Sequence, residues 1–172
     1  MNLTKLTLAA LTLLLSTASY ANLNIRFIES APKDIFMIEN TSSCELTAMK
    51  VDIDLTNSAG KLIFDTTEVG ADVEVFQPFE VRSGEISLAK GQRVNDGNNR
   101  LSIIIERLGP NQSASFTIDV DDQLSNSELG QIRVSDAEIQ GATARVLLNN
   151  ADSFMGVFDL RSYSSITLPS CA

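Results

Sequence analysis

Apolar and polar side chains alternate with a period of two along most of this chain. Residues 49–56 and residues 114–121 are the clearest examples, and in both segments every second side chain is apolar. A period of two places the apolar side chains on one face of a β-strand, whereas an amphipathic helix requires a period near 3.6. Shorter stretches with the same pattern lie at 23–28, 34–40, 61–65, 73–81, 131–134 and 142–148. The sequence therefore predicts an all-β protein.

Turn-forming residues separate these runs and indicate the architecture. Residues 57–60 (Asn-Ser-Ala-Gly) predict a hairpin loop, and further turn clusters lie at 95–99 and 109–111. Three consecutive isoleucines at 103–105 are typical of a central strand that is covered on both faces. Short strands at this spacing favour a single antiparallel β-sandwich, with jelly-roll and immunoglobulin-like topologies both open.

The first 21 residues have the three parts of a cleavable signal peptide. A short region with Lys5 precedes an apolar run at 6–15, and Ser19-Tyr20-Ala21 provides small residues at the two positions that a signal peptidase reads. The apolar run is shorter than the roughly 20 residues that span a bilayer. We therefore predict a signal peptide over 1–21 and one domain over 22–172, exported to the periplasm or the medium, with no membrane span.

Charge and residue types narrow the function. The predicted domain carries 12 basic and 22 acidic residues, and such a surface repels nucleic acid. The chain contains no histidine, which removes the usual general base of serine and cysteine hydrolases and the usual ligand of catalytic zinc. We expect neither nucleic-acid binding nor catalysis. Asn40 and Asn111 each begin an N-glycosylation pattern, which is short enough to occur by chance.

The chain has two cysteines, Cys44 and Cys171. Export to an oxidising compartment predicts a disulfide between them, which would close a segment of about 127 residues. An intermolecular disulfide and two free thiols are the alternatives.

Acidic residues cluster where one predicted strand ends, at Asp119, Asp121 and Asp122. Carboxylates at i and i+2 project from the same face of a strand, and calcium takes 6–8 oxygen ligands. Asp52 and Asp54 form a similar pair on another strand. The cluster predicts a calcium site at Asp119, Asp121 and Asp122, and the alternative is a solvated acidic strand face.

Three stretches resemble a known family: Ser30–Asn40, Gly60–Val81 and Ser115–Asp122. They are similar to the bacterial secreted proteins called aggregation factor core proteins, which are named after the core protein of sponge aggregation factors. The similarity covers about residues 22–134 of this chain. The resemblance implies an extracellular β-sandwich module, and the sponge system acts in calcium-dependent cell adhesion. This chain is shorter than that system and lacks its large glycan-bearing regions, and no catalytic residues are carried over. Asp119, Asp121 and Asp122 match acidic positions of unassigned role.

Three functional hypotheses follow from the sequence. The first is a secreted, non-enzymatic β-sandwich for cell-surface or matrix interaction and adhesion, with calcium and an extracellular protein or glycan as partner. The second is a carbohydrate-binding module, which an exposed aromatic pair beside a shallow groove would favour. The third is an acid/base glycosidase, which needs two carboxylates facing each other in a cleft. The sequence leaves the oligomeric state open.

Overall fold

The computed structural model describes residues 21–66, 77–127, 129–130, 133–149 and 152–168. The predicted signal peptide, apart from Ala21, lies outside these ranges. The first strand begins at Ala21, the last residue of the predicted signal peptide.

The described residues form β-strands joined by turns and loops, without an α-helix, and the all-β prediction is confirmed. The strands are β1 (Ala21–Ile28), β2 (Asp34–Asn40), β3 (Leu46–Asp54), β4 (Ile63–Asp65), β5 (Glu80–Ser83), β6 (Ile86–Leu88), β7 (Arg100–Leu108), β8 (Ser113–Asp121), β9 (Thr143–Leu147), β10 (Ser153–Val157) and β11 (Tyr163–Leu168).

The strands form two antiparallel sheets that pack face to face. Sheet A has the order β11-β1-β2-β8-β4, and β5 pairs with β8 beside β4. Sheet B has the order β10-β9-β3-β7-β6. This arrangement confirms the predicted antiparallel β-sandwich.

The core lies between the sheets and is built by the alternating pattern read from the sequence. In β2 and in β8, every second side chain from Phe36 and from Ala114 onward is buried. The rings of Phe27 and Phe116 lie on either side of Phe36, each with its centroid 5.2 Å from the Phe36 centroid. Burying a side chain of this kind contributes about 1.5–3 kcal/mol, so the apolar faces hold the two sheets together.

The chain crosses between the sheets at two of the predicted turns, 57–60 and 109–111. The second of these joins β7 of sheet B to β8 of sheet A. The Asn57–Gly60 turn joins β3 of sheet B to β4 of sheet A, and these strands do not pair with each other. The hairpin prediction was therefore wrong. The turn is held by a hydrogen bond from the Leu62 amide to Ser58 Oγ (2.7 Å) and by one from the Gly60 amide to the Glu138 carbonyl (2.8 Å). Sequence periodicity identifies the strands but carries no information about which sheet each one joins.

The isoleucine run at 103–105 also differs from its prediction. Ile103 and Ile105 are buried, but Ile104 faces outward between Lys50 of β3 and Ser87 of β6 and is half-buried. Strand β7 therefore has one covered face rather than two. Neighbouring side chains on the open face shield Ile104 from water.

Asn40, at the end of β2, is fully buried and forms hydrogen bonds with the β2–β3 loop and with the β7–β8 turn. Its Nδ2 donates to the carbonyl oxygens of Cys44 (2.6 Å), Leu108 (3.0 Å) and Gly109 (3.1 Å). Its Oδ1 accepts hydrogen bonds from the amide and the hydroxyl of Ser42. The amide that would carry a glycan is thus used inside the fold, and the pattern at Asn40 is structural.

Cys44 lies in the same connection, with Sγ 3.2 Å from Ser42 Oγ, and packs partly buried against the core. Cys171 lies outside the described residues, so the disulfide between Cys44 and Cys171 stays a prediction.

The edge strands of the two sheets meet at Gly156 of β10. A Cβ atom at this position would lie 2.4 Å from Ser164 Oγ, 2.8 Å from the Ser165 carbonyl oxygen and 2.9 Å from Ile166 Cγ1, all in β11. Contacts below 3.0 Å require atoms to move, and here one of them is backbone. Glycine therefore allows β10 to close one side of the sandwich against β11.

We predict that Gly156→Ala lowers the free energy of unfolding by about 1–2 kcal/mol, because the clash with β11 exceeds the smaller entropic gain that alanine brings. The melting temperature should fall by about 2–4 °C per kcal/mol. Thermal unfolding followed by circular dichroism measures this change. The exposed Ser153→Ala on the same strand is the matched control and should stay within about 0.5 kcal/mol of wild type. An unchanged Gly156→Ala would show that β10 and β11 do not pack this closely.

Candidate functional site

Two groups of charged residues are candidates for a functional site: the acidic cluster at the end of β8, and a polar groove on the outer face of sheet B. The acidic cluster comprises Asp34, Asp65, Asp119, Asp121 and Asp122. The sheet B groove has a volume of about 330 Å³, and its lining comprises two apolar residues, Ile53 and Leu101, and seven polar ones: Lys50, Asp52, Asp54, Arg100, Ser102, Thr143 and Arg145.

Strand pairing brings Asp65 to Asp119, a contact that sequence spacing could not give. Asp119 and Asp121 project from the face of β8 that points away from the core, as predicted. Strand β4 pairs with this end of β8 and places Asp65 directly opposite Asp119. Opposed residues of an antiparallel pair lie on the same face, with Cβ atoms about 4.5–5.5 Å apart. Like charges at that separation repel each other, and Asp65 is almost completely buried.

Asp34 lies on the core side of the same end of sheet A. Its Oδ1 accepts a hydrogen bond from the Ser30 amide and its Oδ2 accepts one from the Val120 amide, both at 3.0 Å. Burial raises the pKa of Asp34 to about 8, and the charges of Asp119 and Glu29 act in the same direction against the two hydrogen bonds. Asp34 therefore joins the β1–β2 loop to β8 as a carboxyl group that retains its proton well above the usual range.

Burial also raises the pKa of Asp119, to about 6, and the neighbouring charge of Asp65 adds to the effect. The ammonium group of Lys33 acts against this shift. Lys33 itself forms a salt bridge with Glu80 of β5. The cluster is therefore crowded with negative charge that the nearby lysine only partly balances.

The two remaining acids of the cluster are buried as well. Asp122 Oδ1 accepts a hydrogen bond from the Leu124 amide at 2.8 Å, while its Oδ2 is buried without a hydrogen-bond partner. Within the described ranges, no group of three or more acidic, cysteine or histidine side chains is placed to hold a metal ion. The calcium site at Asp119, Asp121 and Asp122 therefore stays a prediction.

The sheet B groove is formed by two rows of side chains that run across three strands. Asp52 of β3 lies between Ser102 of β7 and Arg145 of β9. Two residues along β3, Asp54 lies between Arg100 and Thr143. Because all of these residues alternate with buried ones, the period of two places them together on the open face.

The carboxylates of the groove are paired with neighbouring donors. Asp52 Oδ1 lies 2.8 Å from Lys50 Nζ and accepts a hydrogen bond from Ser102 Oγ. Asp54 Oδ2 lies 3.0 Å from Arg100 Nε. Burial acts to raise the pKa of Asp54, but hydrogen bonds from Thr56 and the Arg100 guanidinium together outweigh it and lower the pKa. The second acidic pair seen in the sequence is thus a set of ion pairs rather than a cation site.

Exposed apolar side chains border the groove at the edge of sheet B. Met155 and Val157 of β10 are 56% and 53% exposed, and they lie opposite Arg145 and Thr143 of β9. The sequence analysis identified Asp52 and Asp54 of the groove, but it missed the other polar residues and this apolar border. Its only sequence signal is the pair of apolar side chains at i and i+2 in 153–157.

Comparisons with known proteins give this chain no relative: no protein-family model, curated protein or solved structure matches it. The resemblance to aggregation factor core proteins stays a prediction. Within the ranges described, the structure has no helix that is long and apolar enough to cross a membrane.

We predict that Asp119→Asn reduces the dependence of stability on pH. The folded pKa of Asp119 is raised from 3.8 to about 6, so the folded state holds the proton more tightly than the unfolded state. The stabilisation that protonated Asp119 contributes to the fold is therefore fully present below pH 4 and is lost as the pH rises through about 6. The variant, which has no proton to lose, should unfold at a higher temperature than wild type at pH 7.

Asp54→Asn is the control of opposite sign. Because the pKa of Asp54 is lowered in the fold, its carboxylate stabilises the protein above pH 4, and the variant should be less stable than wild type at pH 7. Melting curves from pH 4 to pH 8 measure both effects. Parallel curves for Asp119→Asn and wild type would contradict the raised pKa.

Proposed function

We propose that this protein is a secreted, non-enzymatic β-sandwich that binds a partner at a cell surface or in the extracellular matrix through the open face of sheet B. The observation that carries the proposal is the sheet B groove. It combines three cationic side chains, two carboxylates and two hydroxyl groups on one regular sheet.

The construction of the groove suits binding. Its side chains stand on three strands, of which the central one, β3, pairs with β7 on one side and with β9 on the other, and buried residues anchor these strands beneath. Sites built on paired strands hold their groups more precisely than sites built on loops. Met155 and Val157 add apolar surface beside the charged groups, a combination that is typical of interaction sites.

The state of the groove carboxylates supports a binding role over glycosidase chemistry. A general acid needs a raised pKa so that it holds a proton near neutral pH. Asp54 has a lowered pKa, and Asp52 is bound to Lys50 and Ser102. The acids with raised pKa values, Asp34 and Asp119, belong to the acidic cluster and do not line the sheet B groove.

The proposal is tested by the binding of labelled protein, residues 22–172, to cells that produce it. The double variant Met155→Glu/Arg145→Glu replaces an apolar and a cationic side chain on the open face of sheet B by two acidic ones. We expect at least a tenfold loss of bound protein, because acidic groups then replace an apolar and a cationic contact. Val81→Glu/Arg82→Glu makes matched changes on the exposed strand β5 of sheet A and should bind as wild type does. Equal binding by both double variants would contradict the proposed face.

Calcium dependence is part of the same proposal and concerns the acidic cluster. The support for it is electrostatic: Asp119, Asp121 and Asp65 share one face of sheet A. Burial raises the pKa of Asp119 and repulsion from Asp65 adds to this shift, and a bound cation would relieve that repulsion.

We expect calcium to raise the melting temperature in a saturable way and chelation to reverse the change. A ligand at 100 times its dissociation constant adds about 2.7 kcal/mol of stability, which is a shift of several degrees. The triple variant Asp119→Ala/Asp121→Ala/Asp122→Ala should not respond, and magnesium should have no effect on wild type. A flat calcium response would remove the metal from the proposal and leave the binding face untouched.

A further inference from the structure

We infer that the sheet B groove binds a carboxylated glycan, with Arg145 holding the sugar carboxylate. This inference rests on the proposed function and names the chemical class of the partner. It is drawn from the unpaired guanidinium of Arg145, from the mixture of donors and acceptors beside it, and from the position of the groove in the sheet.

Arg145 is the cation of the groove that is available to a ligand. Lys50 and Arg100 are paired with Asp52 and Asp54, whereas Arg145 forms no hydrogen bond or ion pair with any described residue, and its side chain is exposed. Guanidinium groups bind carboxylates through two parallel hydrogen bonds. A carboxylate that docks on Arg145 therefore meets a complete set of donors without displacing an existing partner.

The groups around Arg145 suit sugar hydroxyls. Asp52 lies next to Arg145 across the strands, Ser102 follows it, and Thr143 lies in the adjoining row. Carboxylate oxygens accept hydrogen bonds, and serine and threonine hydroxyls both donate and accept. A sugar ring carries several neighbouring hydroxyl groups, each of which can donate and accept hydrogen bonds. Met155, opposite Arg145 on β10, provides an apolar surface for the C–H face of the ring.

The position of the groove disfavours a peptide. Peptides that bind sheets commonly add as an extra strand at a free edge, where backbone groups are unpaired. Here the groove is centred on β3, which pairs with β7 on one side and β9 on the other. The groove therefore lies where β3 is already paired on both sides and offers no free strand edge.

The charge balance favours a ligand with one carboxylate per unit. The groove carries three cationic and two anionic side chains, so it has a net positive charge on a chain whose formal net charge is −9. A single carboxylate is attracted by the local excess, while a denser polyanion meets Asp52, Asp54 and the acidic surface beyond them. The volume of about 330 Å³ is at the lower end of small-ligand sites and suits one sugar unit of a longer chain.

Calorimetric titration of residues 22–172 with uronic-acid oligomers tests the inference. The probes are oligomers of galacturonate, mannuronate and hyaluronan, each compared with its methyl-ester form, which lacks the charge. We expect at least one acid oligomer to bind, its affinity to fall with added salt, and its ester to bind at least tenfold more weakly. Arg145→Gln should lose at least tenfold in affinity, and Arg145→Lys should recover only part of it because it lacks the fork of donors.

Arg82→Gln, a change at another exposed arginine, is the matched control and should bind as wild type does. The melting temperatures of all three variants show that each is folded. The inference is overturned if no acid oligomer binds, if esters and acids bind equally, or if Arg145→Gln binds as tightly as wild type. Poly-glutamate that binds more tightly than every sugar in an Arg145-dependent way also overturns it, in favour of an acidic protein partner.

The two proposals fail separately. Loss of cell binding in Met155→Glu/Arg145→Glu, with no affinity for any sugar probe, overturns the glycan and supports the binding face. Tight, Arg145-dependent sugar binding, with cell binding unchanged in the double variant, supports the glycan and overturns the cell-surface role.

Discussion

Burial of one apolar face from each sheet is the constraint on which the rest of this structure depends. Phe27, Phe36 and Phe116 form a continuous set of ring contacts within sheet A, and the alternating residues of β3 and β7 close over the core from sheet B. Because each strand can bury only one face in this arrangement, the other face of sheet B remains open, and polar side chains predominate in its groove. The sheet B groove is therefore a second consequence of the pattern that builds the core.

Carboxylates of the same i and i+2 spacing have opposite pKa shifts in the acidic cluster and in the groove. Asp52 and Asp54 lie among cations and hydroxyls, which offset their charge and lower the pKa of Asp54. Asp119 faces the carboxylate of Asp65 on the neighbouring strand β4, and burial raises the pKa of Asp119 to about 6. The neighbouring strand, rather than the i and i+2 spacing, decides whether such a pair is a stable surface feature or a strained site.

The proposed function depends on how the groove is held. Two rows of side chains, centred on Asp52 and Asp54, are fixed by backbone pairing on both sides of β3. Their positions need little rearrangement on binding, which reduces the entropic cost of association. Arg145 differs from its neighbours in having no partner among the described residues. Because the other charges of the groove are paired, its positive charge is the one that would attract an anionic ligand.

The sequence alone determined the all-β class, the buried faces of β3 and β8, and the acidic pair Asp52 and Asp54, because alternation is a local property of consecutive residues. It could not determine that the Asn57–Gly60 turn crosses between sheets, that Asn40 is buried and hydrogen-bonded to two loops, or that Asp65 lies opposite Asp119. These features depend on which strands pair and in which register. Strand pairing joins residues more than 50 positions apart, and their partnership is decided by how the whole core packs. For the same reason, only the tertiary structure showed that Arg145 stands beside Asp52 and forms no ion pair within the part of the chain that the structure describes.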